Sequence, residues 1–198
     1  MLYPHLNGRR VILASQSPRR LELVRGLELN PITWLKEVDE SFPAEISGPE
    51  IALYITRLKA QAYWEDLEEN DVLITGDTVV LLGNEVLQKP TSREEAKGML
   101  EALSGKTHTV ASGIAVTTKI SGIQAKVDTT EVTFHPLEPK LIDHYLDGYQ
   151  PFDKAGAYGV QDLIGFAGVS EMKGSYFTVM GMPTHLLFQL INNLKPKA

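Results

Sequence analysis

Two short apolar runs, each followed by small and polar residues, constrain the fold of this chain more than any other feature. Residues 11–14 (VILA) precede the segment 15–20 (SQSPRR), and residues 72–75 (VLIT) precede Gly76 and Asp77. Short continuous apolar runs bounded in this way are typical of buried strands. In open α/β sheets, the segments that follow the carboxyl ends of neighbouring parallel strands converge. If these two strands are parallel neighbours, residues 15–20 and Asp77 lie close together.

Helical and strand patterns alternate along the rest of the chain. Pro18 follows Ser17, a good N-cap, so a helix is predicted to begin there and to end near residue 27. Further helices are expected over about 49–67, 92–103, 138–146 and 184–194, and further strands over 32–38, 78–82, 85–88 and two between 108 and 134. This alternation indicates the α/β class with a mixed sheet.

A hairpin is predicted around Gly83 and Asn84, a dipeptide suited to a two-residue turn. Counting back from that turn pairs Thr78 with Lys89, so Lys89 is expected beside Asp77. A lysine next to a carboxylate can form a simple salt bridge, or it can hold a phosphate next to a metal.

Composition narrows the class of protein. The 198 residues suffice for one core or for two small lobes flanking a cleft. Without cysteine there is no disulfide and no catalytic thiol. The net charge of −6 disfavours a general nucleic-acid-binding surface. No apolar stretch is long enough for a bilayer, and no signal-peptide pattern is present, so we expect a cytoplasmic protein without a membrane partner.

Basic residues concentrate near the start of the chain. The first 25 residues hold five arginines and a single acid, Glu22. A helix N-terminus presents unpaired N–H groups, Ser15 and Ser17 add hydroxyls, and Arg19 and Arg20 can grip phosphate oxygens. The alternative is that Ser17 only caps the helix and that the arginines are solvated.

Several charged residues are candidates for chemistry. Asp77 could bind Mg²⁺ or accept a proton from water, or it could be a turn residue that bonds its own backbone. Asp39 and Glu40 could add metal oxygens, or they could be ordinary surface acids. Lys59 lies in the helix predicted over 49–67, where most lysines are solvated.

The segment 154–161 (KAGAYGVQ) contains small residues that let a ligand approach the main chain. The amide of Gln161 offers a donor and an acceptor that match the adjacent groups of uracil or thymine. A turn packed under Tyr158 is the alternative.

Taken in their order along the chain, these segments resemble the motifs of a known family, although no single segment is distinctive. The segments are 13–20 (LASQSPRR), Asp39-Glu40, Lys59-Ala60, 76–80 (GDTVV), Lys89-Pro90, 103–108 (LSGKTH) and 153–161 (DKAGAYGVQ). They resemble the successive motifs of the Maf family of nucleotide pyrophosphatases, over about residues 11–190.

The resemblance implies an activity and a fold. The activity is hydrolysis of a nucleoside triphosphate to its monophosphate and pyrophosphate with a divalent metal, Mg²⁺ or Mn²⁺. The fold is a single Maf-like domain over residues 1–198, α/β with a mixed twisted sheet in two lobes around one cleft, similar to inosine triphosphate pyrophosphatases. A homodimer is also implied. Asp77 matches the family's proton acceptor and a metal ligand. Its other catalytic or metal positions are matched by Ser17, Arg20, Asp39, Glu40, Lys59 and Lys89.

Three further residues indicate the substrate. Arg19, Thr78 and Gln161 resemble the family branch that acts on dTTP and UTP, whereas the 7-methyl-GTP branch has an aromatic residue, glutamine and glutamate there. Asp162 departs from the pattern, because glycine often follows the glutamine in the family. Two alternatives stay open: a house-cleaning hydrolase of modified pyrimidine nucleotides, and a nucleotide-binding regulator of septum formation.

Overall fold

The computed structural model describes residues 2–195. Seven helices are α1 (Pro18–Gly26), α2 (Glu50–Ala62), α3 (Arg93–Leu103), α4 (Pro139–Tyr149), α5 (Leu163–Gly168), α6 (Tyr176–Val179) and α7 (Thr184–Asn192). Seven strands are β1 (Arg10–Leu13), β2 (Ile32–Thr33), β3 (Asp71–Leu82), β4 (Glu85–Leu87), β5 (Thr107–Thr118), β6 (Gly122–Phe134) and β7 (Val169–Lys173). Short 3-10 turns cover Pro4–Leu6, Trp64–Asp66 and Ala155–Ala157. Within residues 2–195, no helix is both long enough and apolar enough to cross a membrane.

The sheet is mixed, as the sequence predicts. Its strand order is β2-β1-β3-β5-β6-β7, and β4 pairs with β3. Strand β1 is parallel to both β2 and β3, whereas the β3–β4 and β6–β7 pairs are antiparallel. Leu13 lies opposite Ile74, and the Ala14 amide donates to the Ile74 carbonyl at 2.9 Å. The expectation that the two apolar runs form parallel neighbours is confirmed.

The chain folds into two compact units. The first comprises Met1–Asp77, Ser112–Asp128 and Gly181–Ala198. One apolar cluster in it joins Ile12 and Leu73, on adjacent strands, to Tyr63 and Leu67 at the end of α2. This cluster buries one side of β1 and fixes the strand from which α1 departs.

The second unit comprises Thr78–Ala111 and Thr129–Met180. Its core is one large cluster that packs α3, α4 and α5 against the strands of that unit. The largest side chains in this cluster with almost no exposed surface are Phe134, Leu100, Leu103, Ile142, Tyr145 and Leu146. Tyr145 therefore presents its hydroxyl from inside a packed core.

The strand predicted over 32–38 is wrong beyond Thr33. The ladder stops there because β1, with which β2 pairs, ends at Leu13, whose carbonyl accepts a last bond from the Trp34 amide at 3.2 Å. The Trp34 carbonyl instead accepts from the Tyr63 hydroxyl at 2.9 Å, and the two rings pack edge to face. Helix α2 ends at Ala62 rather than near residue 67, where it was predicted to end. Tyr63 is its C-cap, and residues 64–66 form a tighter turn.

The hairpin prediction is partly confirmed. Leu82 pairs with Glu85 across residues 83–84, but the pairing ends at Val80 with Leu87, so Thr78 and Lys89 form no strand pair. Beyond Leu87 the chain has another backbone partner, because the Gln88 carbonyl accepts from the amide of Gly156 at 3.2 Å.

The glycine-dense region that follows residue 156 contains regular structure that the sequence did not reveal. Helix α5 leads into β7, which pairs antiparallel with β6 through Val132 and Met172. Helix α6 follows after one bend. All three elements are six residues or fewer, which is too short for apolar periodicity to mark them.

An ion pair between a half-exposed guanidinium and a buried carboxylate joins the starts of β1 and β3. The Arg10 guanidinium donates to both carboxylate oxygens of Asp71, each at 2.7 Å, and the Glu68 amide adds a third bond at 2.9 Å. Asp71 has no exposed surface. Burial raises the pKa of Asp71, but the bonds from Arg10 and Glu68 outweigh it and hold that pKa below its ordinary value.

The depressed pKa predicts a pH-dependent contribution to stability. Asp71 adds stability fully above about pH 5, and the contribution disappears as pH falls below about 4 and through the folded-state pKa. At pH 7, Asp71→Asn should lower the free energy of unfolding by about 1–2 kcal/mol, because charge-assisted bonds are lost. Thermal unfolding at pH 7 and pH 3.5 tests this. The two proteins should differ less at the lower pH, and a constant difference would contradict the assignment.

Candidate functional site

The segment between β1 and α1 forms a turn held by its own serines. Ser17 is the N-cap of α1, and its Oγ accepts from the Arg20 amide at 3.4 Å. The Ser15 Oγ accepts from the Ser17 amide at 3.2 Å. Ser17 therefore does cap the helix. Because both hydroxyl oxygens act as acceptors in these bonds, their O–H groups remain able to donate to an anion.

Arg20 is held across the start of α1. Its Nε donates to the Gly181 carbonyl at 2.9 Å, and one terminal nitrogen contacts the Ser15 Oγ at 3.5 Å. Burial lowers the pKa of the Arg20 guanidinium, the Asp77 carboxylate raises it, Arg19 lowers it and Glu40 raises it. The guanidinium stays protonated at neutral pH. A fixed cation thus stands beside a helix N-terminus, which is an arrangement suited to phosphate.

Lys59 links two carboxylates. Its Nζ lies 2.8 Å from Asp77 Oδ1 and 2.8 Å from Glu40 Oε1. The Lys59 and Asp77 side chains are only 13% and 9% exposed, whereas Glu40 is 44% exposed. The expectation that Lys59 is merely solvated therefore fails. The Lys59 ammonium thus offsets the charge of the Asp77 carboxylate and holds one of its oxygens in place.

Asp77 does not end a strand, contrary to expectation. It lies within β3, which continues to Leu82. A carboxylate is tolerated inside a strand here because Lys59 compensates its charge. The preceding Gly76 allows the backbone to approach closely: a Cβ there would lie 2.9 Å from the Gly113 carbonyl oxygen.

The acidic residues could bind a divalent ion jointly with a bound ligand. Asp39 is exposed, and its Oδ1 accepts from the Ser41 amide at 2.9 Å. Within residues 2–195, no group of three or more acidic or histidine residues could hold a metal. Asp77 and Glu40 can supply carboxylate oxygens, and Mg²⁺ commonly takes one or two of these together with substrate phosphates. These two carboxylates could hold a metal together with further ligands, such as substrate phosphates.

Arg19, the next predicted residue, is half-buried in α1, and the last three predicted residues lie in the second unit. Thr78 is half-buried and Lys89 is exposed. Gln161 is half-buried and follows a tightly held loop, in which the Tyr158 hydroxyl and His108 Nε2 share a 2.7 Å hydrogen bond. Burial lowers the pKa of His108 to about 4, so this pair is neutral at pH 7. Tyr158 thus anchors the loop in the core, as the structural alternative predicts, and Gln161 lies three residues further along.

Comparison with known proteins identifies the family. A sequence model described as Maf-like protein matches residues 10–194. The chain belongs to the Maf-like family. The resemblance inferred from the order of the motifs is thereby confirmed.

Relatives of this Maf-like chain align along nearly its whole length. A Bacteroides thetaiotaomicron protein named dTTP/UTP pyrophosphatase is 44% identical over 191 residues, covering 96% of this chain and 98% of the relative. A Flavobacterium psychrophilum protein of the same name is 42% identical over 193 residues, covering 98% of both chains. A third, from Parabacteroides distasonis, is 42% identical over 186 residues, covering 93% of this chain and 96% of the relative.

Solved structures show a more distant likeness. The Staphylococcus aureus Ham1 protein gives a TM-score of 0.48 at 12% identity, covering 64% of this chain and 72% of that one. A Mycobacterium abscessus dITP/XTP pyrophosphatase gives 0.43 at 16% identity, covering 63% and 74%. These scores are too low to support an argument about activity.

Three residues that contact or adjoin the predicted residues of this Maf-like chain, or contact such a neighbour, escape a reading of the sequence. The Gly181 carbonyl, which fixes Arg20, lies 161 residues away along the chain and has no side chain to mark it. Tyr145 and Asp162, which contact each other at 3.0 Å beside Gln161, are the other two. The only signal for them is that Asp162 departs from the glycine common in the family.

Proposed function

We propose that this chain hydrolyses dTTP and UTP to the nucleoside monophosphate and pyrophosphate. The observation that carries the proposal is the Asp77 carboxylate, nearly buried and bonded to Lys59 within the unit that also holds the arginine-bearing helix start. Full-length relatives named dTTP/UTP pyrophosphatase support the choice of substrate.

The first step is binding of the triphosphate. The hydroxyls of Ser15 and Ser17, at the start of α1, donate to phosphate oxygens. The Arg20 guanidinium offsets their charge and is held in place by the Gly181 carbonyl. Lys59 and Lys89 are further candidates for offsetting phosphate charge.

Hydrolysis then requires an activated water. Asp77, held by Lys59, orients a water and accepts its proton as the water oxygen attacks the α-phosphorus. The new P–O bond forms while the bond from the α-phosphorus to the bridging oxygen breaks. Pyrophosphate leaves with the electron pair of that bond, and the nucleoside monophosphate remains.

A divalent ion, when bound with the substrate, polarises the phosphate oxygens and stabilises the charge on the leaving pyrophosphate. Asp77 and Glu40 are the proposed ligands from the protein, with Asp39 as a further candidate on the same loop. The carboxylates of Asp77 and Glu40 both contact the Lys59 ammonium, which holds their oxygens in place. Together they do not form a complete set of metal ligands.

Recognition of the base is assigned first to Gln161. The Gln161 amide can accept from the N3–H of uracil or thymine and donate to a neighbouring carbonyl oxygen. Thr78 and Arg19 are proposed as the other residues that select the base.

Pyrophosphate release tests the proposed function. The substrates are UTP, dTTP, CTP, ATP, GTP, 5-methyl-UTP and 7-methyl-GTP, each with Mg²⁺, with Mn²⁺ and with chelator. Highest kcat/KM for UTP and dTTP with metal is the expected result. Preference for 7-methyl-GTP would refute the substrate. Far faster turnover of 5-methyl-UTP would favour a house-cleaning role, and binding without turnover would favour a regulator.

Arg20→Ala should lower kcat/KM for UTP about 100-fold, since a cation that stabilises developing phosphate charge is lost. Arg20→Lys should recover only part of this, because a lysine cannot keep both the Gly181 and Ser15 contacts while it binds phosphate. Steady-state kinetics measure the effect. Arg25→Ala, at an exposed arginine in the last turn of the same helix, is the control and should leave kcat/KM within about twofold. Equal losses in the Arg20 and Arg25 variants would contradict the role of Arg20.

A further inference from the structure

A glutamine side chain cannot by itself discriminate uracil from cytosine. Its amide carries a donor and an acceptor on one planar group. In one orientation it accepts from the N3–H of uracil or thymine. Turned over, it donates to the N3 of cytosine and accepts from the amino group. Discrimination therefore requires a neighbour that holds the Gln161 amide in one orientation.

Such a neighbour is Asp162. Gly159 lies against both side chains: a Cβ built on it would be 2.5 Å from Asp162 Oδ2 and 2.9 Å from Gln161 Nε2. A carboxylate accepts hydrogen bonds but cannot donate them, so it attracts an NH₂ group and repels a carbonyl oxygen. The Gln161 NH₂ is thus favoured on the side of Asp162, and Oε1 is left as the acceptor for the base.

Asp162 is itself held from the core by Tyr145. The Tyr145 hydroxyl donates to Asp162 Oδ2 at 3.0 Å and accepts from the Gly159 amide at 3.1 Å. One hydroxyl therefore holds the residue that follows Gln161 and the residue two positions before it. Burial and then the Asp162 charge raise the pKa of Tyr145, so the phenol remains a donor at all ordinary pH values.

Lys154 completes the surroundings of the Asp162 carboxylate. Its Nζ lies 3.8 Å from Asp162 Oδ2 and 2.8 Å from Asp153 Oδ1. A cation at this distance offsets the charge of the Asp162 carboxylate. The loop that precedes Gly159 is also constrained, since Ala157 adopts a left-handed conformation with φ of 59° that few residues other than glycine accept.

We propose that Asp162, held by Tyr145, orients the Gln161 amide and makes this chain favour uracil and thymine over cytosine. The inference rests on the proposed function and deepens it, because it names positioning residues for the base rather than residues that touch the reacting phosphate.

The direct test is Asp162→Gly. Glycine is well accepted at the residue that precedes a helix, and Asp162 makes no side-chain capping bond to α5, so the fold should persist. We expect the ratio of kcat/KM for UTP to kcat/KM for CTP to fall about tenfold, while kcat for UTP stays within about twofold. An unchanged ratio would overturn the proposal.

Tyr145→Phe provides a second variant. It keeps the ring, which stacks on Tyr149 at 5.0 Å, and removes only the hydroxyl. The same ratio should fall by about threefold to tenfold. Asp147→Asn is the matched control: it removes an exposed carboxylate two residues further along α4, which pairs with Arg93, and should leave the ratio unchanged.

General damage to the fold would lower turnover of UTP and CTP in proportion, so only orientation of the amide changes their ratio. If wild type does not release pyrophosphate from UTP, the proposed function fails. If it does, but all variants keep the wild-type ratio, the proposed function stands and the role of Asp162 fails.

Discussion

Asp77→Asn is expected to lower kcat for UTP hydrolysis by about 10³-fold, within the range for loss of a general base. Asparagine matches the shape of aspartate but cannot take the proton of the attacking water. Lys59 keeps Glu40 as a partner, so the ammonium is not left buried without a carboxylate. Pyrophosphate release measures the effect, and thermal unfolding should show that the variant remains folded.

Asp71→Asn is the matched control, because it removes another carboxylate with almost no exposed surface from the same strand. It should lower stability with little change in kcat, the reverse of Asp77→Asn. Near-normal turnover in Asp77→Asn would refute the assigned base. If both variants are folded but neither turns over substrate, loss of either buried carboxylate of β3 stops the reaction, and the effect is not specific to Asp77.

Gly113→Ala is expected to lower the free energy of unfolding by about 2–4 kcal/mol, at the upper end for overpacking. A Cβ at Gly113 would lie 2.6 Å from the Ala52 carbonyl oxygen and closer still to Thr56 Oγ1. Both neighbours belong to α2, and Thr56 is fully buried, so the helix must move away from β5. Helix α2 also carries Lys59, so the same shift would disturb the contact with Asp77.

The melting temperature should fall by roughly 6–12 °C for a chain of this size. Gly98→Ala is the matched control: Gly98 lies within α3 with no atom near its Cβ position, so alanine there should stabilise the protein by about 0.5–1 kcal/mol. Opposite shifts from the same chemical change are the expected result. A Gly113→Ala variant as stable as wild type would show that α2 packs on β5 less closely than described.

Local patterns were predictive where neighbouring residues decide the structure. Ser17 and Pro18 place the start of α1, and Ser92 caps α3 through the Glu95 amide at 3.1 Å. The paired residues Leu82 and Glu85 follow from the turn between them. In each case the interaction spans only three residues, so it needs no knowledge of the rest of the fold.

Predictions failed where a distant segment competes for the same groups. Residues 34–38 have the composition of a strand, but the Trp34 carbonyl is taken by the hydroxyl of Tyr63, 29 residues later. Asp77 resembles a turn residue, but Lys59 supplies the charge that lets β3 continue through it. A local sequence pattern carries no information about partners that lie far away along the chain.

The sequence by itself determined the family, the α/β class and the positions of the serines and arginines that begin α1, because these depend on motif order and on local backbone preferences. Only the tertiary structure decided which groups act on each other. It set Lys59 against Asp77, the Gly181 carbonyl against Arg20, and Tyr145 against Asp162. The physical reason is that a hydrogen bond or ion pair acts over about 3 Å. Its partners are therefore chosen by how the chain packs, not by their separation in sequence.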